Sequence, residues 1–206
     1  MLALKGVSKS YGRTAVLSRL DARFDPGVTV ITGPSGVGKS TLLRLCATVE
    51  RPTAGQMIWK DAPLKGNAAF RSVLGYAPQR IDFPEDLSGL DFMMHVAALK
   101  RLPLDPARQQ SLALLDRLGL ARDADKRIAA WSGGMRRRLG VAQSLLGAPE
   151  MLVLDEPTAE LDSGTASHVN ALIFEHAPSA VILMTTHLED HLGGHDYGRL
   201  RLDAAS

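Results

Sequence analysis

The chain has 206 residues, 45% of them hydrophobic and 22% charged, the balance of one folded globular unit and not of a disordered chain. A formal net charge of +2 is too weak to argue for a nucleic-acid or membrane-surface partner, and no nucleic acid is expected. The lone Cys46 excludes an internal disulfide, suits a cytosolic setting and, in an apolar stretch, reads as a small core residue. Residues 1–5 lack the basic-then-apolar pattern of a secretory signal. The longest apolar runs, such as 180–184, fall far short of the roughly 20 residues a spanning helix needs. Any membrane task is expected to pass through a separate partner.

In chain order, residues 2–25 alternate enough to predict a small antiparallel sheet. The β-branched run 28–32, ending at Gly33, predicts a buried strand. Gly33-Pro34-Ser35-Gly36-Val37-Gly38-Lys39-Ser40-Thr41 then fits G-x-x-x-x-G-K-[ST]. Glycines let backbone N–H groups turn inward around phosphate oxygens. The helix that follows, over 40–49, points its partial positive charge at the same anion. Lys39 would reach the β- and γ-phosphates of a nucleotide, and the Ser40 hydroxyl would bind Mg²⁺, which prefers hard oxygen ligands. This motif alone does not separate kinases, GTPases and motor ATPases. An Asn-Lys-x-Asp base-reading motif of the GTPase kind is absent from the sequence.

Residues 80–145 read as mostly helical, with helices over 87–102 and 107–118 separated by Pro103 and Pro106. Ser132 is placed to cap a helix whose positions 135, 139, 142, 145 and 146 share one apolar face. That helix start is either a plain cap or a second anion site. Residues 151–154 form a further apolar strand, ending in Asp155 and Glu156. Asp155 is placed to hold Mg²⁺, directly or through water, and Glu156 to polarise an attacking water. Residues 180–186 predict a third buried strand. Apolar strands separated by helices imply a parallel sheet covered on both faces.

Six elements in this order resemble an ATP-binding cassette (ABC) ATPase subunit. They are the phosphate loop 33–41 (Walker A), Tyr76-Ala77-Pro78-Gln79 (the Q-loop), Trp131-Ser132-Gly133-Gly134-Met135 (the LSGGQ signature), 151–156 (Walker B), Ala159-Glu160-Leu161-Asp162 (the D-loop) and Thr185-Thr186-His187 (the H-switch). The resemblance spans about residues 2–187. It implies an α/β fold: a P-loop NTPase core with a mainly parallel sheet over about 1–79 and 146–206, a small N-terminal antiparallel β-subdomain, and an inserted α-helical subdomain over about 80–145. It implies ATP and Mg²⁺ as ligands, with Tyr11 stacking on adenine and residues 33–41 holding the phosphates. Gln79 would sense the metal and water, and His187 would hold the attacking water. Two copies, identical or different, would pack head to tail, so that Ser132, Gly133 and Gly134 of one meet the γ-phosphate on the other. Asp162 would align the pair.

Trp131 and Met135 depart from the signature's usual Leu and Gln, Ser163 stands where many relatives have Pro, and the segment after His187 is short. His191 and His195 in that segment read as exposed histidines in preference to a metal site. Residues 132–143 and 86–100 resemble the bacterial drug- and antibiotic-export branch. That implies a multi-spanning permease partner and a place on the cytoplasmic face of the membrane through it. The rival reading is a soluble ABC ATPase acting on DNA, ribosomes or Fe–S assembly. Arg136, Arg137 and Arg138 read as a solvated or interfacial helix face before a lipid-binding cluster.

Overall fold

The computed structural model describes residues 1–64, 68–187 and 189–203. Residues 2–24 form a hairpin of β1 (Leu2–Tyr11) and β2 (Thr14–Phe24), turned at Gly12, whose φ of 59° suits glycine. β3 (Gly27–Thr32) feeds the glycine-rich loop and α1 (Lys39–Cys46). There follow β4 (Ala54–Trp59), β5 (Ala62–Pro63), α2 (Ala68–Ser72) and β6 (Leu74–Ala77). The helical stretch holds α3 (Gly89–Leu99), α4 (Leu104–Arg117) and α5 (Gly133–Leu145). β7 (Met151–Asp155), α6 (Ser163–Phe174), β8 (Val181–Thr185) and β9 (Gly198–Arg201) complete the order.

Two sheets result. The first is antiparallel with strand order β2-β1-β4-β5, so the expected N-terminal sheet is present and gains two later strands. The second is parallel with order β6-β7-β8-β3-β9. Its central strands β7 and β8 are buried at every position. Their side chains alternate between two cores. Leu152, Leu154, Ile182 and Met184 join the core that contains α3, α4, α5 and α6. Met151, Val153, Val181 and Leu183 join the core shared by α1 and the antiparallel sheet, where Cys46 is fully buried. Covering both faces is what makes these strands continuously apolar.

Several expected boundaries shift. The helix predicted over 40–49 ends at Cys46, and Thr48 turns the chain away with φ 57°. α3 starts later than predicted because Ser88 caps it, its Oγ accepting from Asp91 N at 3.0 Å. α4 starts earlier, at Leu104, with Pro103 as its cap residue. Pro106 therefore lies within the first turn, where a missing N–H costs no intrahelical bond. Ser132 caps α5 as expected, accepting from Met135 N at 3.3 Å. The α5 face carrying Leu139, Ala142, Leu145 and Leu146 is buried, with Met135 packed against the same core. α5 lies directly on β6: a Cβ at Gly75 would come within 1.9 Å of the Ser144 carbonyl oxygen. No helix among the described residues is long and apolar enough to cross a membrane.

Candidate functional site

A cleft of about 300 Å³ opens above the ends of β3, β7 and β8. It is lined by Ser35, Gly36, Gly38, Lys39, Ser40 and Thr41 of the glycine-rich loop, by Gln79, by Asp155 and Glu156, and by His187, with Val16 from β2 at its side. Four segments spread from residue 35 to residue 187 thus converge because each follows a strand of one parallel sheet. Ligands of open α/β sheets bind in that place.

The loop geometry needs glycine at two positions in particular. Gly33 has φ 138°, and a Cβ there would meet the Leu202 carbonyl oxygen at 2.4 Å. Gly38 caps α1 with φ 109°, and a Cβ there would meet Val16 at 2.8 Å. Lys39 folds back across the loop, its Nζ donating to the carbonyls of Gly33 (2.8 Å) and Pro34 (3.0 Å). Val37 is buried beneath, packed in the core under the loop.

The acidic end of β7 is held from β8. Asp155 is 5% exposed and pairs with Thr185 in the strand register. The Thr185 hydroxyl donates to Asp155 Oδ1 at 2.7 Å and accepts from the backbone N–H of Glu156 at 3.0 Å. Glu156, 7% exposed, takes φ 54°, a left-handed conformation uncommon outside glycine. Its carboxylate faces His187: Oε2 accepts from the His187 backbone N–H at 3.2 Å, and Oε1 lies 3.2 Å from the ring Nε2. Burial raises the Glu156 carboxyl above its ordinary range, opposed by the His187 ring and backbone and by Lys39. A buried carboxylate in contact with a histidine is suited to taking a proton from water.

The donor set fits Mg²⁺. The Ser40 hydroxyl, the Gln79 side chain and the Asp155 carboxylate, all hard oxygen donors, border one cleft. Asp155 Oδ1 accepts from the Thr185 hydroxyl. Among the described residues there is no cluster of His, Cys, Asp or Glu of the kind that cages a metal by protein ligands alone. His191 is half-buried, and the exposed His195 stacks on Phe174 at 4.3 Å.

The other expected residues lie outside this cleft. Tyr11 is 43% exposed; its hydroxyl donates to Glu50 Oε2 at 2.5 Å and accepts from Arg44 at 3.2 Å, with Lys9 Nζ 4.9 Å from the ring centre. Arg44 also reaches Thr41 Oγ1 at 3.2 Å, which ties the tyrosine to the loop helix. Gly133 lines a second cleft of about 250 Å³ with Gln79, Arg136, Arg137, Pro157 and Glu160. Gln79 borders both clefts. Gly134 faces Leu161, and Asp162 caps α6 through both oxygens, to Thr165 N (2.9 Å) and Thr165 Oγ1 (2.7 Å). Those hydrogen bonds hold the Asp162 carboxyl below its ordinary range.

Sequence reasoning missed three features. Thr185 appeared only as part of a motif, though a hydroxyl across from Asp155 in a buried strand was a usable signal. The Lys9–Tyr11–Arg44–Glu50 cluster left no mark in spacing. The three arginines of α5 are structural ties: Arg136 to Glu85 at 3.1 Å, Arg137 to the Gln79 carbonyl at 2.6 Å, and Arg138 to the Leu118 carbonyl at 2.6 Å.

Residues 17–159 match the family described as ABC transporter. The chain belongs to the ABC transporter family. Within it, the chain is a cassette of the ABC ATPase type. It is 35% identical over 193 residues to the daunorubicin resistance ATP-binding protein DrrA3 of Streptomyces coeruleorubidus, covering 92% of this chain and 61% of that protein's length. It is 33% identical over 208 residues to the phosphonates import ATP-binding protein PhnC of Bordetella parapertussis, covering 92% of this chain and 81% of the relative. ATP-binding proteins named for drug resistance and for import thus lie at similar distance from this ABC cassette. A dimeric bacterial ABC transporter cassette superposes with a TM-score of 0.85 at 24% identity, over 98% of this chain and 94% of that one. At that identity the likeness establishes the ABC cassette fold.

Proposed function

We propose that this chain is the ATP-hydrolysing subunit of an export-type membrane transporter, working as a head-to-tail pair of cassettes. One observation carries the hydrolytic reading. Six residues of the glycine-rich loop between Ser35 and Thr41, with Gln79, Asp155, Glu156 and His187, border one cleft, while Ser132, Gly133 and Gly134 are not among the residues that line it. A helix start that lies outside its own chain's cleft, with N–H groups that can meet an anion, is suited to closing the cleft of another copy.

In that assembly the loop N–H groups and Lys39 bind the triphosphate, Tyr11 stacks on the adenine, and Ser40, Gln79 and Asp155 hold Mg²⁺, which supplies charge neutralisation at the phosphates. Glu156 takes a proton from water as its oxygen attacks the γ-phosphorus, and ADP leaves. His187, in contact with Glu156, positions that water. Ser132 and Gly134 of the second cassette contact the γ-phosphate, and Asp162 aligns the two copies. Bound ATP favours the closed pair and hydrolysis releases it, a two-state equilibrium biased by nucleotide. The core over about 1–79 and 146–206 carries the nucleotide, and the helical region over about 80–145 passes its movement to a permease on the cytoplasmic face of the membrane.

Export is favoured by the resemblance of residues 132–143 and 86–100 to the drug-export branch, and one relative, DrrA3, is named for daunorubicin resistance. The test is affinity capture of the tagged chain from detergent-solubilised native cells, with mass spectrometry of what is bound. A stoichiometric multi-spanning membrane protein is expected. Recovery of soluble partners, ribosomes or DNA alone would overturn the transporter reading.

A further inference from the structure

We infer that Thr185 is the positioning residue of the hydrolytic centre. It sets both the oxygen that Asp155 offers to the metal and the direction in which Glu156 faces. The inference rests on the reading of Asp155 as metal-holding and Glu156 as base.

Thr185 ends β8 directly across from Asp155 and is 1% exposed, so its hydroxyl has no access to solvent. A buried hydroxyl must be satisfied within the protein. Here it is satisfied twice, and each bond falls on a different residue of the acidic pair. By donating to Asp155 Oδ1 at 2.7 Å it restrains the carboxylate rotation. By accepting from the Glu156 backbone N–H at 3.0 Å it holds the one residue of the site with a non-glycine left-handed backbone between a strand and its turn. That conformation costs of order 1–3 kcal/mol where the surroundings do not fix it. It brings the Glu156 carboxylate to both His187 contacts. Without the hydroxyl, Asp155 gains a free rotor and Glu156 N–H loses its acceptor, while the loop that binds the nucleotide is untouched.

The test uses the full chain with Thr185→Val, which keeps shape and removes the hydroxyl, and Thr185→Ser, which keeps the hydroxyl. Mn²⁺ stands in for the metal and is followed by electron paramagnetic resonance on the ATP complex. Metal-free binding of a fluorescent ATP analogue is measured beside it. Thr185→Val is expected to lower kcat about tenfold or more and weaken Mn²⁺ binding about fivefold or more, in line with loss of a hydrogen bond to a charged group. Metal-free nucleotide affinity is expected to stay within about twofold, and Thr185→Ser to keep both kcat and Mn²⁺ affinity within about threefold. Wild-type kcat and Mn²⁺ affinity in Thr185→Val would overturn the inference. So would a tenfold loss in Thr185→Ser, which stands even where Thr185→Val does not fold. Glu156→Gln in parallel separates the two levels. If it abolishes hydrolysis while Thr185→Val is silent, the Thr185 inference fails and the hydrolytic reading stands. If Glu156→Gln hydrolyses normally, the reading itself falls.

Discussion

Trp131 occupies the space that a side chain at Gly89 would need: a Cβ there would lie 2.3 Å from Trp131 Cη2. The unusual tryptophan of the signature segment is thus matched by a glycine at the start of α3, and it is buried at 5% exposure. Trp131→Leu should leave a void and destabilise the fold by about 1–3 kcal/mol, and Gly89→Ala alone should destabilise through overpacking. The double variant should be more stable than the sum of the two effects, read by denaturant unfolding. Strict additivity would contradict the pairing.

Arg137 joins the start of α5 to the Q-loop by donating to the Gln79 carbonyl at 2.6 Å. Gln79 borders the cleft proposed to hold the nucleotide, so loosening this tie should be felt there. Arg137→Met should slow phosphate release about threefold to tenfold, the scale of one hydrogen bond worth about 0.5–1.5 kcal/mol. An unchanged rate would show that the tie has no bearing on the site.

Glu50 gathers Lys9, Tyr11 and Arg44. Burial alone would raise its carboxyl, but hydrogen bonds from Tyr11, Lys9 and Arg44 outweigh it and lower the value to about 2, from an ordinary 4.5. A depressed carboxyl adds stability that is complete above its unfolded value and is lost as pH falls toward the folded one. The gap in melting temperature between wild type and Glu50→Gln should therefore be widest above about pH 5 and narrow steadily below about pH 4.5. A gap independent of pH would contradict the network.

Lys100 donates to the Leu146 carbonyl at 2.7 Å, clasping the α3–α4 turn to the chain between α5 and β7. Burial lowers its ammonium to about 8, from an ordinary 10.5. Between those values the unfolded chain holds a proton that the folded chain has released, so raising the pH favours the folded state. Stability of wild type relative to Lys100→Met should rise from about pH 7.5 to about pH 9.5. A falling or flat difference would contradict the burial of the charge.

The candidate site was legible where its proposed chemistry calls for adjacent residues. The glycine-rich loop and the Asp155–Glu156 pair each lie within one short segment, and β3, β7 and β8 announced themselves because burial makes their runs mostly apolar or β-branched. The sheet's outer strands did not. β6 has four residues, one of them Gly75 beneath α5, and the edge strand β9 alternates Arg199 and Arg201 with Leu200. Thr185 acquires its role only through strand pairing with β7. The α5 arginines looked like a solvated or interfacial face because much of what they bind is backbone carbonyl, 58 residues away for Arg137 and 20 for Arg138. A carbonyl carries no signature in sequence.

The central claim is that Glu156 drives hydrolysis in a site completed by a second cassette. Static light scattering of Glu156→Gln with Mg·ATP, beside a phosphate-release assay, tests it most directly. Hydrolysis should fall about a hundredfold or more while ATP binding persists, and the scattering mass should double on adding Mg·ATP and return to one chain on its removal. A variant that hydrolyses ATP at the wild-type rate, or that stays at the mass of one chain with ATP bound at micromolar protein, would contradict the account.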